Sequence, residues 1–163
     1  MIIRDATAAD AAQMTDLLNE IIAMGGPTAY QTPFDTDRML HHCIARSGLV
    51  SSQVAELDGA VLGFQYLAWA DDPDDPMPEG WAIIASFVAS SAAGKGVGQH
   101  LFAATKAVAI KAGVKTIDAT IRADNVPGLR YYSGLGFVDY DRLVAIPLRD
   151  GTVVDRVRKR YDL

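Results

Sequence analysis

Three glycines stand at every second position in "SSAAGKGVGQHLF" (residues 90–102): Gly94, Gly96 and Gly98. A hydrophobic run precedes them and an apolar helical pattern follows. A strand that ends in glycines and opens a helix leaves free backbone N–H groups at the helix start, where the helix dipole adds partial positive charge. Without Cβ atoms the backbone can close on a ligand. The chemistry is that of a phosphate or pyrophosphate cradle made of amides from residues 94–99, although a tight strand–helix turn is the plainer use of the same glycines. Two common phosphate patterns fail here. In the G-x-x-x-x-G-K-[S/T] loop, Lys95 would need Ser or Thr after it and has Gly96. In G-x-G-x-x-G/A, the third place holds Gln99.

The elements that must position this stretch are readable from periodicity. Ile2 and Ile3 suggest a short first strand. Thr7 with Asp10 forms a capping-box pattern, and Met14, Leu17, Leu18, Ile21 and Ile22 follow at helical spacing. A second helix fits 36–47, with Met39, Leu40, Cys43 and Ile44 inward. Two strands flank the turn Asp58-Gly59, a strong hairpin signal. "DDPDDPMPEG" is a loop and "WAIIASFVAS" an apolar strand. A helix over 96–112 ends at Gly113, "KTIDATI" is a strand, and a short helix fits 126–134. A final hairpin closes the chain. The order β-α-α-β-β-β-α-β-α-β-β implies a single α+β domain over 1–163, with a mixed, largely antiparallel sheet flanked by about four helices.

Bulk properties narrow the function. A formal charge of −5 argues against a general nucleic-acid binder, which carries a basic surface. No apolar run approaches the length of a membrane span. One cysteine, Cys43, forbids an intrachain disulfide and suits a cytoplasmic setting. Its helical neighbours make it a packing residue rather than a nucleophile. No Cys/His spacing matches a metal site, and of the adjacent His41 and His42 at least one is expected at the surface.

The residues then point to a family. "AGKGVG" (Ala93–Gly98) resembles the pyrophosphate signature [Q/R]-x-x-G-x-[G/A] of the Gcn5-related N-acetyltransferases (GNAT), matching at Gly96 and Gly98 and departing at Ala93. "DNVPGLRYYSGLGF" (124–137) resembles the family's second block, with Asn125, Tyr132, Gly136 and Phe137 in place and Gly128 where Ala is usual. One helix and one strand separate the blocks. Within the family the chain is similar to the small-substrate branch.

The resemblance implies acetyl transfer from acetyl-CoA to a primary amine, with no metal. It places the pyrophosphate on Gly94, Lys95, Gly96, Val97, Gly98 and Gln99. It places the pantetheine arm along strand 81–89, with backbone groups from Phe87 and Val88, and adds Asn125 and Tyr132 to the cofactor site. Tyr132 is the expected general acid; a packing aromatic beside Tyr131 is its plainer reading. Adjacent helical residues point about 100° apart, so Tyr131 and Tyr132 are not expected to share the role. Glu79 is the candidate base, though it also reads as a solvated acid in a proline-rich loop, and water without a dedicated base also serves. Between Trp81 and Val88, Ser86 is the one polar side chain. Tyr30, Trp69 and Trp81 either line an acceptor pocket or fill the core. A small amine, such as an amino acid or polyamine, is the expected acceptor. A non-catalytic acyl-CoA sensor and a protein lysine or N-terminal acetyltransferase are the alternatives. A homodimer through a sheet edge or helices is also expected, with the charged face of "DRVRKRY" resisting indiscriminate pairing of the last strand.

Overall fold

The computed structural model describes all 163 residues. Its elements are β1 (Ile2–Asp5), α1 (Ala11–Met24), α2 (Thr36–Met39), β2 (Leu49–Leu57), β3 (Ala60–Trp69), β4 (Trp81–Val88), α3 (Val97–Ala112), β5 (Thr116–Arg122), α4 (Val126–Leu135), β6 (Val138–Pro147) and β7 (Val153–Asp162). The seven strands form one sheet in the order β1-β2-β3-β4-β5-β7-β6. The fold is the mixed, mostly antiparallel α+β arrangement that the sequence pattern implies.

Local chemistry sets the element ends. Asp58 and Gly59 both take positive φ (51° and 82°), the turn that matches the twist of the β2–β3 hairpin. Asp10 closes the capping pattern ahead of α1 by accepting the Thr7 N–H at 2.8 Å. Alternation along the strands splits the core into two layers. On one face, Met14 and Leu18 of α1 pack on Phe64 and Phe87, with Cys43 buried among them. On the other, Phe102 of α3 and Tyr132 and Phe137 around α4 pack on Ile84 and Ile117. Burial pushes the Cys43 thiol up to about 12, so it is a packing residue without thiolate character.

Two expectations change. The helix expected over 36–47 is a single α turn that runs on as a π turn, Leu40–Ile44, with Ala45 N–H bonded to Leu40 O. His42, three residues from buried Met39, is half-buried, while His41 stays exposed. The last strand, β7, is not an edge: it lies between β5 and β6. The edge is β6, which two register shifts, a positive φ at Ala145 (51°) and Pro147 make a poor template for further pairing. No helix is long and apolar enough to cross a membrane.

Candidate active site

One junction in the sheet creates the site. β4 and β5 are the only parallel neighbours, and they pair only at Trp81–Ile83 with Thr116–Asp118. Beyond that point they part, and a cavity of about 870 Å³ opens between them. Bonds at the two ends of the β3–β4 ladder, Ala70 N–H to Trp81 O and Ala89 N–H to Leu62 O, show which β4 backbone groups are free. By the alternation of an antiparallel pair, the odd-numbered residues bond to β3. Ile84, Ser86 and Val88 therefore turn their N–H and C=O groups toward the opening. Of the two residues expected to offer backbone groups, only Val88 does so. The backbone of Phe87 belongs to the β3 ladder, and its ring lines the cavity against Phe64 (centroids 4.9 Å apart).

The glycine stretch lies just past the open end of β4. Gly94 and Gly96 take left-handed φ (75° and 77°), and a Cβ at Gly94 would meet nothing within 4 Å. Gly96 begins α3 without a side-chain cap, and the first bond into the helix runs from His100 N–H to Gly96 O. The N–H groups of Val97, Gly98 and Gln99 thus lack intrahelical partners. Lys95 and Gln99 are exposed beside them, whereas the Val97 side chain is buried core, so it contributes only its amide. The third glycine has a different cause. A Cβ at Gly98 would sit 2.6 Å from the ring of Tyr131, so this position is vacated for a side chain of the protein itself.

That ring belongs to a buried hydrogen-bond network. Tyr131 Oη donates to Gly98 O (2.8 Å) and accepts from Gln65 Nε2 (3.1 Å). Gln65 Nε2 also donates to Ser86 Oγ (2.7 Å), which lies 2.8 Å from Tyr132 Oη. Gln65 is fully buried and Tyr132 is 7% exposed. The two tyrosine rings meet edge to face on α4 (centroids 4.8 Å apart) and their hydroxyls join one network through Gln65 and Ser86, which sequence spacing alone did not suggest. Burial raises the Tyr132 phenol well above its ordinary value, so it stays protonated.

The opposite face of the opening has other walls. Tyr30 and Tyr66 line it, and both hydroxyls address His42 Nε2, at 2.8 and 3.3 Å. Burial, aided by Arg46 and Arg38, lowers the His42 pKa and keeps the ring neutral. The segment between α1 and α2 roofs the cavity. It is tied across the opening by Arg122 Nη1 to Gly25 O (3.2 Å) and Thr28 O (3.1 Å), and by Asn125 Nδ2 to Pro27 O (3.1 Å). Asn125 also accepts the Gly128 N–H, capping α4. One donor and one acceptor site of its amide are thus used within the protein, and the residue borders the cavity. Tyr30 is a lining residue, whereas Trp81 is buried against Tyr140 (centroids 5.4 Å apart) and half-buried Trp69 packs on the α3–α4 layer.

The structure does not bring Glu79 to this cluster. It is exposed, just before β4, at the end where β4 and β5 are still joined: Lys115 N–H bonds to Gly80 O. A turn at Gly80 and the strand run from Trp81 to Ser86, roughly 17 Å, separate it from Ser86. The acids that line the cavity are Asp72, Asp74, Asp75 and Asp118. Asp118 is buried and accepts hydrogen bonds from Tyr140 (2.5 Å) and Thr120 (2.8 Å). Gln65 and Ser86 join this hydrogen-bond network although motif reading passes over them; the one available signal is Ser86 as a lone polar side chain on an apolar strand.

A parted parallel pair, free β4 amides, an uncapped glycine-led helix and a protonated tyrosine thus meet at one end of the cavity. Residues 14–137 match the model of the acetyltransferase (GNAT) family. The chain belongs to that family, whose members are N-acetyltransferases. No curated protein matches it in sequence. Among solved structures it is similar to yncA of Salmonella typhimurium, determined with its cofactor acetyl-CoA (24% identity, 99% of this chain and 93% of that one, TM-score 0.83). It is also similar to a GNAT superfamily phosphinothricin acetyltransferase of Sinorhizobium meliloti in complex with acetyl-CoA (23%, 99% and 88%, TM-score 0.85). A third is the ribosomal-protein-alanine N-acetyltransferase of Brucella melitensis (24%, 100% of both chains, TM-score 0.85). At these identities the likeness is one of fold.

Proposed function

We propose that the protein transfers an acetyl group from acetyl-CoA to the primary amine of a small molecule, both bound at once. The observation that carries this reading is the Tyr132–Ser86 pair, set beside unpaired β4 amides at the mouth of a roofed cavity. The residues present fit acetyl-CoA. The free N–H groups at the start of α3, with Gly94 to Gln99, suit its pyrophosphate. The free backbone of Val88 suits the peptide-like pantetheine arm, which adds to an open strand edge as a further strand would. When bound, acetyl-CoA supplies an activated acyl group and a thiolate leaving group.

The chain's own groups then have defined tasks. Gln65 Nε2 donates to Ser86 Oγ, so the Ser86 proton is available for Tyr132 Oη. The phenol proton of Tyr132 is thereby left free for the departing sulfur. A phenol held in this way has no use in a module that only binds acyl-CoA. The roof, tied down by Arg122 and Asn125, favours a small acceptor over a protein segment. With no carboxylate on β4 beside Tyr132, the amine enters neutral and water carries its proton away.

The test is to incubate the protein with acetyl-CoA and a panel of small amines, following free CoA thiol and the mass of the acceptor. We expect acetylated amine in step with thiol release. Tight acetyl-CoA binding with no acceptor modified would overturn the reading in favour of an acyl-CoA sensor. Modification confined to peptide N-termini or lysines would overturn it in favour of a protein acetyltransferase.

A further inference from the structure

The cavity wall built from β5 and β7 carries three arginines, Arg122, Arg156 and Arg158. Strand register sets Arg122 directly opposite Arg156, and Thr120 opposite Arg158, so all three side chains leave the same face. Like charges facing one another across a ladder repel, and the three are compensated unequally. Arg122 is forked onto Asp124 through Nε (2.9 Å) and Nη2 (2.8 Å). Arg158 is ion-paired with Asp75, but its Nε is buried with no hydrogen-bond partner, on a side chain only 9% exposed. Arg156 pairs with no carboxylate, and its Nε too is buried without a partner. Asp118, the buried acid of the same wall, is occupied by Tyr140 and Thr120.

An arginine that pairs with no carboxylate, standing beside one that holds a single ion pair, calls for an anion from the cavity that both side chains line. Residues two apart on a strand project from one face roughly 6–7 Å apart, a spacing that brackets a single oxyanion. We propose that the acceptor amine carries a carboxylate or similar oxyanion, held by Arg156 and Arg158. The proposal rests on the acetyl-transfer reading and narrows it. An amino-acid-like acceptor offers both the nucleophilic amine and the anion, whereas a polyamine would bring further positive charge to an arginine that already lacks a counter-ion.

The experiment compares L-amino acids with their carboxamides and with a linear polyamine. Binding is followed by thermal shift in the presence of CoA, and turnover by thiol release from acetyl-CoA. Wild-type protein should favour at least one amino acid over its carboxamide by tenfold or more in kcat/KM. Arg156→Gln should raise KM for that amino acid roughly 10- to 100-fold, the scale of one lost charge-assisted hydrogen bond, with kcat largely kept. Arg156→Lys, which keeps the charge and loses the fork, should fall between the two and guards against a folding artefact. Equal or better use of carboxamide or polyamine, or an unchanged KM in Arg156→Gln, would overturn the proposal while leaving acetyl transfer intact. Amino-acid binding that depends on Arg156 but leads to no acetylation would support the anion site and sink the acetyl-transfer reading instead.

Discussion

Tyr131 occupies the space that a side chain at position 98 would need: its Cε2 lies 2.6 Å from where a Cβ on Gly98 would be. The alternating glycines thus answer two demands. Gly94 and Gly96 serve the backbone path and its openness, and Gly98 serves the contact between α3 and α4. Gly98→Ala should cost on the order of 1–3 kcal/mol through overpacking, read as a lower denaturant midpoint. Tyr131→Ala in the same chain should relieve part of that loss, a coupling of roughly 0.5–3 kcal/mol in a double-mutant cycle. Gly94→Ala meets no neighbour but is strained at φ 75°, and no change at Tyr131 should rescue it. Strict additivity of Gly98→Ala and Tyr131→Ala would show that the contact is not what excludes a side chain at 98.

Tyr132→Phe removes one hydroxyl and keeps the ring. Turnover should fall roughly 10²- to 10⁴-fold, the scale of general-acid catalysis, while acetyl-CoA affinity stays near wild type because the cradle proposed for the pyrophosphate is made of backbone amides. Ser86→Ala should give a smaller fall, since Tyr132 then loses the partner that orients it. The pH profile is a separate check. The Tyr132 pKa lies above the ordinary tyrosine value, so the acid form persists throughout the neutral and mildly alkaline range. The rate should rise as the amine loses its proton and show no descending limb below about pH 10. A descending limb near pH 8 or 9 would exclude Tyr132 as the acid.

The parts of this molecule legible in its sequence are those set by neighbours in the chain. The element order, the Asp58-Gly59 hairpin and the glycine entry to α3 follow from local spacing. The tyrosine block of α4 was recognisable as a motif, although its hydrogen-bond partners were not. Those partners depend on contacts far apart in the chain: Gln65 reads as one polar residue in a strand, and only the fold sets it beside Tyr131, 66 residues on. Glu79 was a reasonable candidate by its closeness in sequence to β4. However, the parallel pairing of Trp81–Ile83 closes that end of the opening and leaves the acid outside. The partners of His42 were equally hidden, because Tyr30 and Tyr66 lie 12 and 24 residues away in the chain.

Asp10 should give the protein an acid-sensitive anchor. Arg4 holds it with two hydrogen bonds, at 2.9 and 2.8 Å, and together with the Thr7 N–H lowers its pKa to about 2. A carboxylate whose pKa is depressed on folding stabilises the native state above its unfolded value, and that stability is lost as pH falls toward the folded value. The window is therefore about pH 4 down to 2. The contribution is on the order of 1–2 kcal/mol, discounted for the partly exposed Arg4. Asp10→Asn should lower the denaturant midpoint at pH 7 and flatten its slope across that window. An unchanged acid slope would show that Arg4 and Asp10 do not act as a pair.

His42 supplies the opposite wall of the cavity with a neutral ring whose Nε2 lies 2.8 Å from the Tyr30 hydroxyl and 3.3 Å from that of Tyr66. Burial lowers its pKa below the ordinary histidine value, and Arg38 and Arg46 add to the shift. The unfolded chain thus binds a proton near pH 6.5 that the native ring resists. This stability is fully present above about pH 6.5 and is lost as pH falls through the depressed native value. Acidification from pH 7 toward 5 should lower the midpoint of wild-type protein, and His42→Gln should remove most of that slope while keeping a hydrogen-bonding side chain. His42→Leu should cost more, roughly 1–3 kcal/mol, because the buried Tyr30–Tyr66 hydroxyl pair then loses its ring-nitrogen partner. Should His42→Leu prove as stable as wild type at pH 7, the two tyrosines would have to be satisfied elsewhere, and His42 would have no part in shaping this wall.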